Sequence, residues 1–463
     1  MKKLVSLILA IMMIAAVGAA WASSAANISE NDTNESYAGV RGYEEQANLA
    51  SSVILLKELV IYNTDGKAIY LPDVDYSYTI APAGTAGAEL NVTNTDTHGH
   101  TGAVYAGLTT HSATVSFRYD ETAYSDEGLS SAITQPVTAA STGTSVYNGF
   151  TIDFSNEGFT HPGIYRYSIT EADGTSTRAS AGVVTATTGY SNTRYLDVYV
   201  RGNEKYADGD TIPSGKSIGD YKNYAIYGYV CFTTAANTSI NGTTSGSNLD
   251  TVKKTNGFVH GGTDLATVAD QYKTYNLEVS KAITGSLAET GHKFPFDIDL
   301  ASTLTGSNIK LNGTDTTADV SAGITSNVAT LGTTLNIDAA ISNGKVVKLY
   351  GIPDETALTV NVKETNDTYD VYTATATVNS TSATLYASNG TTAVTALSRN
   401  NTAQIAPQTI AKNTLTDEVV ALSNAITEIS PTGYVSRFAP YALILIGGIA
   451  LLIIAKKRKP KEE

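Results

Sequence analysis

The chain has 463 residues, with 44 acidic and 30 basic side chains and a formal net charge of −14. An acidic surface of this kind argues against a nucleic-acid partner, and a single cysteine, Cys231, excludes an internal disulfide. Six scattered histidines lack metal-ligand spacing and the sequence has no phosphate-binding loop, so it predicts neither a metal nor any other cofactor.

Residues 1–22 have the pattern of a secretory signal peptide. Two lysines precede an apolar run, and Ala20-Trp21-Ala22 offers the small residues that a signal peptidase requires. Cleavage after Ala22 is preferred, with Ala26 as the alternative end. The polar and acidic residues 23–47 that follow predict a flexible leader on an exported protein.

The central part of the chain predicts an all-β fold. Short segments in which apolar and polar residues alternate are separated by Gly, Asn and Asp, as in β-sandwiches. We expect two tandem Ig-like β-sandwich domains, residues 48–273 and 274–428, followed by a C-terminal tail of residues 429–463.

Three predicted strands of the first domain each carry a charged residue on an apolar face. Lys57 alternates with aliphatic residues over positions 53–61, Glu171 ends a face of tyrosines and isoleucine, and Asp270 lies on the apolar face of the last strand. A buried ammonium without a partner is costly, so Lys57 must reach solvent, pair with a carboxylate or react. Glu171 lies at a strand end, so its side chain could instead point to solvent.

The same order of polar residues recurs in the second domain. Lys281 alternates with aliphatic residues over positions 277–283, and Glu364 follows three aliphatic residues on its own strand face. Asn424 occupies the last strand in the place that Asp270 holds in the first domain. One such set could arise by chance, but two sets in the same order indicate a tandem repeat.

The repeated residues leave two interpretations open. In an Ig-like sandwich the first and last strands can lie side by side, which brings each lysine next to the Asp or Asn of the last strand, with the Glu facing both. A buried ionic cluster is one outcome, and it contributes little net stability once desolvation is counted. The other outcome is an isopeptide bond between the lysine amine and the side-chain carbonyl carbon.

Burial favours the reaction. It lowers the pKa of a lysine and raises that of a glutamate, so a neutral amine and a neutral acid become accessible. The amine is the nucleophile, the Glu proton polarises the carbonyl, and fixed proximity removes about 7–11 kcal/mol of the barrier. Lys57 with Asp270 would release water, and Lys281 with Asn424 would release ammonia. Each bond forms once per molecule, so we do not expect a turnover enzyme.

The tail has the layout of a sorting signal. Ser430-Pro431-Thr432-Gly433 precedes an apolar run over 439–455 and four basic residues, 456–459. The run is about the minimum length for a transmembrane helix, and the basic end would stay on the cytoplasmic side. We expect a membrane transpeptidase to cut between Thr432 and Gly433, with a simple tail anchor as the alternative.

Several of these segments resemble those of a known family. Phe159–Glu171, with the pattern Phe-x-x-Pro-Gly-x-Tyr-x-Tyr-x-Ile-x-Glu, resembles the Glu motif of isopeptide-forming domains in Gram-positive pilins. Thr274–Gly285 resembles the start of the second domain in the streptococcal two-domain major (backbone) pilin family. Leu422-Ser423-Asn424, followed by the tail, is similar to that family's final strand and sorting signal.

This resemblance implies that the two Ig-like domains are of the CnaB type. It also implies a structural subunit of a sortase-assembled pilus on the cell wall of a Gram-positive bacterium. The implied partners are a sortase, other copies of the chain joined through Lys–Thr isopeptide bonds, minor pilins and host surface ligands. The chain would be held in the membrane only before sorting. The family's bond-forming roles fall on two sets of residues, one in each domain: Lys57, Glu171 and Asp270, and Lys281, Glu364 and Asn424.

The sequence departs from the family in three places. Asp270 stands where the family usually has Asn, and an insertion before it leaves Asn256 as an alternative partner of Lys57. The residues before the Pro of the tail, Ile429-Ser430, lack the usual Leu, as in variant motifs of pilus-specific sortases.

The third departure concerns the acceptor lysine for polymerisation. The Tyr-Pro-Lys-Asn motif of pilins does not occur. Lys253 and Lys254, which lead into the last strand of the first domain, are our candidates, and three other lysines are rivals: Lys205, Lys216 and Lys222.

Two other functions compete with a pilus subunit. A monomeric wall-anchored adhesin, binding a host or surface ligand through its long first domain, shares every signal described above but needs no acceptor lysine. A secreted hydrolase would need a His-centred or paired-carboxylate constellation, which the sequence lacks.

Overall fold

The structure is a computed structural model, and it describes ten stretches of the chain: residues 51–90, 104–186, 191–232, 254–259, 269–304, 309–354, 358–405, 407–410, 417–428 and 431–457. The predicted signal peptide, residues 1–22, and the leader, residues 23–47, lie outside them, as do Lys253 and Ser430.

The described part of the first half consists of strands and one short helix. The strands are β1 Ser52–Asn63, β2 Ala68–Ile69, β3 Val74–Pro82, β4 Val104–Ala106, β5 His111–Phe117, β6 Val137–Thr138, β7 Thr144–Asp153, β8 Gly163–Glu171, β9 Val183–Val184, β10 Thr193–Lys205, β11 Tyr221–Phe232, β12 Lys254–Thr255 and β13 Gly257–Phe258. The helix, α1, is Thr175–Ser180.

The described part of the second half is likewise built from strands, and one helix follows them. The strands are β14 Asp270–Thr284, β15 Phe294–Ser302, β16 Ile309–Asn312, β17 Asp319–Ala322, β18 Ile324–Thr325, β19 Val328–Leu331, β20 Thr334–Ile341, β21 Val346–Pro353, β22 Leu358–Thr365, β23 Val371–Val378, β24 Thr381–Ala383, β25 Leu385–Ala387, β26 Ala396–Leu397, β27 Thr402–Ile405, β28 Gln408–Ile410 and β29 Glu418–Glu428. The helix, α2, is Pro431–Lys457.

The prediction of an all-β fold is confirmed. The strands form because apolar and polar residues alternate: in β3, Tyr76, Tyr78 and Ile80 are buried while the residues between them are exposed. Among the described residues, one 13-stranded sheet runs through both halves, and in each half a 7-stranded sheet faces it across these inward side chains. Most of the buried apolar residues belong to one cluster that spans both halves.

The sheets position the five strands that carry the sites described below. In the first half, β1 pairs with β7 and β14, and the facing sheet runs β12-β11-β10-β8-β3-β5. In the second half, β14 pairs with β21 and β29, and the facing sheet runs β17-β20-β15-β22-β27-β25. Both lysine strands, β1 and β14, therefore lie in one sheet, and each is faced by a separate sheet that contains a glutamate strand, β8 or β22.

β14 connects the two halves without a break. Its beginning pairs in parallel with β1, and its later part pairs in parallel with β29. The predicted boundary between residues 273 and 274 thus falls inside one strand. Asn63, at the end of β1, donates hydrogen bonds from its side chain to Thr274 (3.0 Å) and Asn276 (2.8 Å), which tie this crossing point together.

The predicted sorting segment begins beside the last strand. Pro431, Thr432 and Gly433 lie at the start of α2. Within the stretches that the structure describes, no helix combines the length and the apolar character needed to cross a membrane.

Candidate functional site

The structure brings Lys57, Glu171 and Asp270 together inside the first half. Lys57 Nζ lies 3.0 Å from Glu171 Oε2 and 3.0 Å from Asp270 Oδ2. The three side chains are at most 1 % exposed. Glu171 is therefore an interior residue, and the solvent-facing strand end considered from the sequence does not occur.

A second cluster in the other half contains Lys281, Glu364 and Asn424. Lys281 Nζ donates to Glu364 Oε1 at 2.6 Å, and the Asn424 carboxamide Nδ2 donates to the same oxygen at 2.5 Å. All three residues are buried. We refer to these two groups of three residues as the first and second clusters.

The two clusters share one backbone register. In the parallel pairing of β1 with β14, Leu59 lies opposite Asp270, and in that of β14 with β29, Ile283 lies opposite Asn424. Lys57 comes two positions before Leu59, and Lys281 comes two positions before Ile283. Side chains two positions apart on a strand share a face, so each lysine projects from the same face of the sheet as the residue that lies opposite its acceptor. The repeat inferred from sequence order is thus also a repeat of side-chain placement.

Each lysine lies over an aromatic ring of the opposing sheet. Lys57 Nζ is 4.3 Å from the ring centroid of Tyr76 on β3. Lys281 Nζ is 4.8 Å from that of Phe294 on β15. The face of an aromatic ring attracts a cation, but this attraction is weaker than the hydration of an ammonium in water. The rings therefore hold the amines in place and exclude solvent from them.

The glutamates have equivalent cross-strand neighbours. Tyr78 lies opposite Glu171 and Phe296 lies opposite Glu364. The Tyr78 hydroxyl donates to Glu171 Oε2 at 3.2 Å, whereas Phe296 offers no hydroxyl. The Tyr78 contact was not predicted, although the alternation of tyrosines on that strand would have been the signal for it.

The second cluster is electrostatically set for a neutral pair. Burial lowers the pKa of Lys281 to about 8, and the nearby Glu364 carboxylate only partly offsets that effect. Burial also raises the pKa of Glu364, against the opposing influence of Lys281 and Asn424. Both shifts favour the state in which the proton resides on the acid and the amine is free.

Two atoms of the second cluster lack hydrogen-bond partners among the described residues. They are Glu364 Oε2 and Asn424 Oδ1, both buried. A buried carbonyl oxygen without a donor costs free energy in the folded state. The Asn424 carboxamide is therefore a group that burial destabilises.

The first cluster contains a further cation that sequence reasoning missed. Arg178 on α1 is 3 % exposed; its Nη2 lies 2.8 Å from Glu171 Oε1 and its Nη1 lies 3.5 Å from Asp270 Oδ2. Burial acts to raise the pKa of Asp270, but Lys57 and Arg178 outweigh it, and the pKa is lowered. α1 is a short polar helix in a predicted connection, and its sequence carries no signal that its one arginine turns inward.

Asp270 is also held by the backbone. The Ala186 N–H donates to its Oδ1 at 2.9 Å. Its Oδ2 accepts no hydrogen bond of regular geometry from the described residues, although Lys57 Nζ is 3.0 Å away. The ammonium therefore approaches this oxygen off the direction that a good hydrogen bond requires.

Asn256, the alternative partner of Lys57, faces elsewhere. Its side-chain Nδ2 donates to Glu127 Oε2 at 2.9 Å. Its neighbour Gly257 has a φ of +134°, and a Cβ there would lie 2.5 Å from the Leu56 carbonyl oxygen. The close approach of β13 to β1 at this point needs the glycine and leaves the asparagine carboxamide pointing toward Glu127.

The candidate acceptor lysines that the structure describes lie outside both clusters. Lys254 belongs to β12. Lys216 Nζ donates to the Tyr224 hydroxyl at 3.1 Å, and Lys222 Nζ pairs with Asp210 at 2.9 Å. Lys205 is exposed at the end of β10. Among the described residues no group of three or more His, Cys, Asp or Glu side chains could hold a metal ion.

Comparison with protein families finds one match. The domain of unknown function DUF7601 matches residues 275–402, which contain Lys281 and Glu364. No curated protein sequence matches the chain.

Among solved structures, the chain is similar to a major pilin of Streptococcus pyogenes, with 13 % identity, a TM-score of 0.33 and coverage of 81 % of this chain and 98 % of that one. A second S. pyogenes major pilin, T3.2 of serotype GAS13637, has 16 % identity and a TM-score of 0.34, covering 82 % of this chain and 100 % of that one. The pilus-presented adhesin Cpa has 12 % identity and a TM-score of 0.22, covering 80 % and 99 %. Identities and TM-scores this low carry no information about function, which has to come from the side-chain geometry.

Proposed function

We propose that the chain is a structural subunit of a covalently polymerised surface pilus, strengthened by one intramolecular isopeptide bond in each half. The observation that carries the proposal is the repeated burial of a lysine against a glutamate and a carbonyl acceptor, with the same register in both halves. A purely ionic cluster would add little stability, and nothing in that role requires the second acceptor to be an amide.

The chemistry is most direct at the second cluster. The Lys281 ammonium passes a proton to Glu364, and the free amine attacks Cγ of Asn424. The carbon–nitrogen bond of the carboxamide then breaks. Its nitrogen takes a proton from Glu364 and leaves as ammonia, while the attacking nitrogen returns one proton to Glu364. The products are a Lys281–Asn424 amide, ammonia and a neutral glutamic acid.

Glu364 is placed to assist both proton transfers. Its Oε1 contacts the lysine amine and the asparagine carboxamide at the same time. With Glu364 protonated, a half-turn of the carboxamide brings its carbonyl oxygen to this contact, because the two ends of an amide have nearly the same shape. The acid then donates to the carbonyl oxygen and polarises the bond that the amine attacks.

In the first cluster the same attack joins Lys57 to Asp270. The ammonium and the carboxylate together contain the atoms of the amide bond and one water, so the condensation is balanced without another reactant. Glu171 Oε2 lies within 3.0 Å of the amine and serves as the proton acceptor. Asp270, held by the Ala186 N–H, presents a carbonyl carbon that cannot turn away.

Two such bonds would carry tension across the molecule. A pull on the chain ends enters at β1 and leaves through β29, and both strands pair in parallel with β14. A bond from Lys57 to Asp270 and another from Lys281 to Asn424 would leave residues 58–269 and 282–423 outside the loaded path. Backbone hydrogen bonds contribute only about 0.5–1.5 kcal/mol net each, so covalent ties would determine how the subunit resists force.

Bond formation at the second cluster is expected to have a bell-shaped pH dependence. The reactive state needs one proton on the Lys281–Glu364 pair: acid adds a second proton, and alkali removes the only one. The acid limb should lie above pH 4.5, because the pKa of Glu364 is raised from that value, and the alkaline limb near pH 8, the approximate pKa of Lys281. Chain isolated from inclusion bodies in urea, before it has folded and reacted, would be refolded at pH values from about 4 to about 10, and its loss of ammonia would be followed by intact mass. A rate that keeps rising to the alkaline end would exclude Glu364 as the proton donor.

Polymerisation would proceed through the tail. A sortase cysteine would attack the Thr432 carbonyl and release the residues from Gly433 onward, and a lysine amine of another copy would resolve the acyl-enzyme. Wall extracts of the producing bacterium should then give a ladder of bands on a denaturing gel. Thr432→Ala should abolish the ladder, and Lys254→Ala should do so if Lys254 is the acceptor, with Lys253 and the surface lysines tested in the same way.

A single band in the wall extract of the native strain would contradict the polymer. It would favour the monomeric wall-anchored adhesin, which shares the internal bonds and the tail. Lys345→Ala is a matched control for the lysine variants, since Lys345 lies in a turn of the second half and should leave the ladder unchanged.

A further inference from the structure

Arg178 distinguishes the two clusters. Its guanidinium lies between the carboxylates of the first cluster, 2.8 Å from Glu171 and 3.5 Å from Asp270. In the second cluster, Lys281 is the one cation among the described residues that forms an ion pair with Glu364. The cluster with the extra cation is also the one whose acceptor is an aspartate in place of an asparagine.

The charges of the two clusters balance separately. The first contains Lys57 and Arg178 against Glu171 and Asp270, and the second contains Lys281 against Glu364. Both therefore have no net charge before any reaction, although their compositions differ. A buried site with an uncompensated charge would be strongly disfavoured.

The two proposed reactions leave different charges behind. Condensation of an ammonium with a carboxylate consumes one charge of each sign and expels neutral water, so the Glu171 carboxylate remains. Reaction of an ammonium with a carboxamide expels neutral ammonia, and the leftover proton neutralises the glutamate. Only the aspartate reaction therefore needs a second cation inside the protein, and Arg178 is placed 2.8 Å from the carboxylate that remains.

We propose that Arg178 is a catalytic residue of the first cluster, the cation that permits an aspartate to serve as acceptor. It balances Glu171 when Lys57 is consumed, and it faces Asp270 Oδ2, where negative charge accumulates as the amine adds to the carbonyl carbon. This inference rests on the proposed isopeptide bond of the first half.

Arg178 and the backbone together surround the acceptor carboxyl. Arg178 Nη1 faces Oδ2, and the Ala186 N–H donates to Oδ1 at 2.9 Å. In the tetrahedral intermediate both of these oxygens are bonded to the attacked carbon, and one leaves as water. Fixed donors at such positions stabilise charge as it develops, without having to reorganise.

The arginine is held in this position before any reaction. Arg178 Nη2 donates to the Ala172 carbonyl at 3.1 Å, and the guanidinium carbon lies 4.6 Å from the Tyr76 ring centroid, on the ring that also contacts Lys57. α1 follows β8 closely, so the strand that presents Glu171 also positions the helix that presents its compensating cation.

The test uses two variants of the full chain, Arg178→Met and Arg178→Met/Asp270→Asn. In the single variant Lys57 faces two carboxylates alone and holds its proton more firmly, so water loss should slow by at least about tenfold. In the double variant the first cluster has the composition of the second, with no net charge. It should react again, now losing ammonia, so that the intact mass is lower by two ammonia.

The test measures both rates by refolding chain that was isolated unreacted from inclusion bodies in urea, with intact mass recorded over time. Ammonia loss at Lys281–Asn424 in the same molecules reports whether each variant folds. Arg118→Met is the matched control, because Arg118 pairs with Asp75 in the first half and touches neither cluster; its water loss should equal that of the native chain.

Three results would overturn the role of Arg178. They are water loss at the native rate in Arg178→Met, failure of the double variant to lose its additional ammonia, and absence of water loss in the native chain. In the last case the second cluster still decides the rest of the proposed function, since its ammonia loss is counted separately.

Discussion

Glu364→Ala is expected to leave the exported chain heavier by one ammonia than the native chain, apart from the mass of the substitution itself. The native chain should be lighter than its sequence mass by one water and one ammonia. Glu364 Oε1 contacts both reacting groups of the second cluster, at 2.6 Å and 2.5 Å. Without this carboxyl no group polarises the Asn424 carbonyl or carries a proton to the leaving nitrogen, so the buried Lys281 amine does not react.

The equivalent change in the other half should restore the water instead. Glu171→Ala removes the carboxylate next to Lys57, while the second cluster, whose glutamate lies on a different sheet from Glu171, continues to lose ammonia. Glu418→Ala is the matched control, since Glu418 is also buried but pairs with Asn379 and not with a lysine. It should keep both mass losses. An unreduced mass in the native chain, or ammonia loss that persists in Glu364→Ala, would contradict the mechanism.

Asn424→Ala is expected to lower the free energy of unfolding by about 5 kcal/mol, from the loop-entropy estimate for a cross-link that closes a loop of this length. In a domain of this size the loss corresponds to a fall in melting temperature of about 10–20 °C. The bond would join β14 to β29, the last strand of the fold, whose release opens the sheet to unfolding. Differential scanning calorimetry of the native chain and the variant measures the difference.

A double variant shows whether the stability lost in Asn424→Ala comes from a covalent bond. If the stability comes from one covalent bond, Lys281→Ala/Asn424→Ala should unfold within a few degrees of either single variant, because each already removes the whole bond. If it comes from non-covalent contacts alone, the loss in the double variant should exceed that in either single variant, by an amount that their shared contact with Glu364 makes smaller than the full sum. Such an excess loss, or a fall of only a few degrees in Asn424→Ala, would contradict a cross-link in the second half.

The strand face on which each polar residue lies could be predicted from the sequence, because strand periodicity is local. A two-residue period assigns Lys57 and Lys281 to apolar faces without knowledge of the fold, and the structure has both buried. The order of residues in each half also indicated which strands should meet. The shared register of the two halves follows from the parallel pairing of β14 with β1 and with β29, which no local pattern encodes.

Arg178 and the direction of Asn256 could not be predicted in this way. Both lie outside long alternating segments: Arg178 is in a short helix, and Asn256 is between two two-residue strands. The direction of such side chains depends on which distant groups lie nearby. Glu171 and Asp270 attract the arginine inward, and Glu127 accepts the hydrogen bond from the asparagine carboxamide.

By itself the amino-acid sequence determined the all-β character of the chain, the repeated lysine, glutamate and acceptor positions, and the acidic exterior, because each depends on composition or on alternation along one strand. Only the tertiary structure decided that β14 runs unbroken between the halves, that Asp270 and not Asn256 faces Lys57, and that an arginine completes the first cluster. These features depend on charges and strands far apart in the chain, and burial makes their pairing necessary only once the sheets have closed around them.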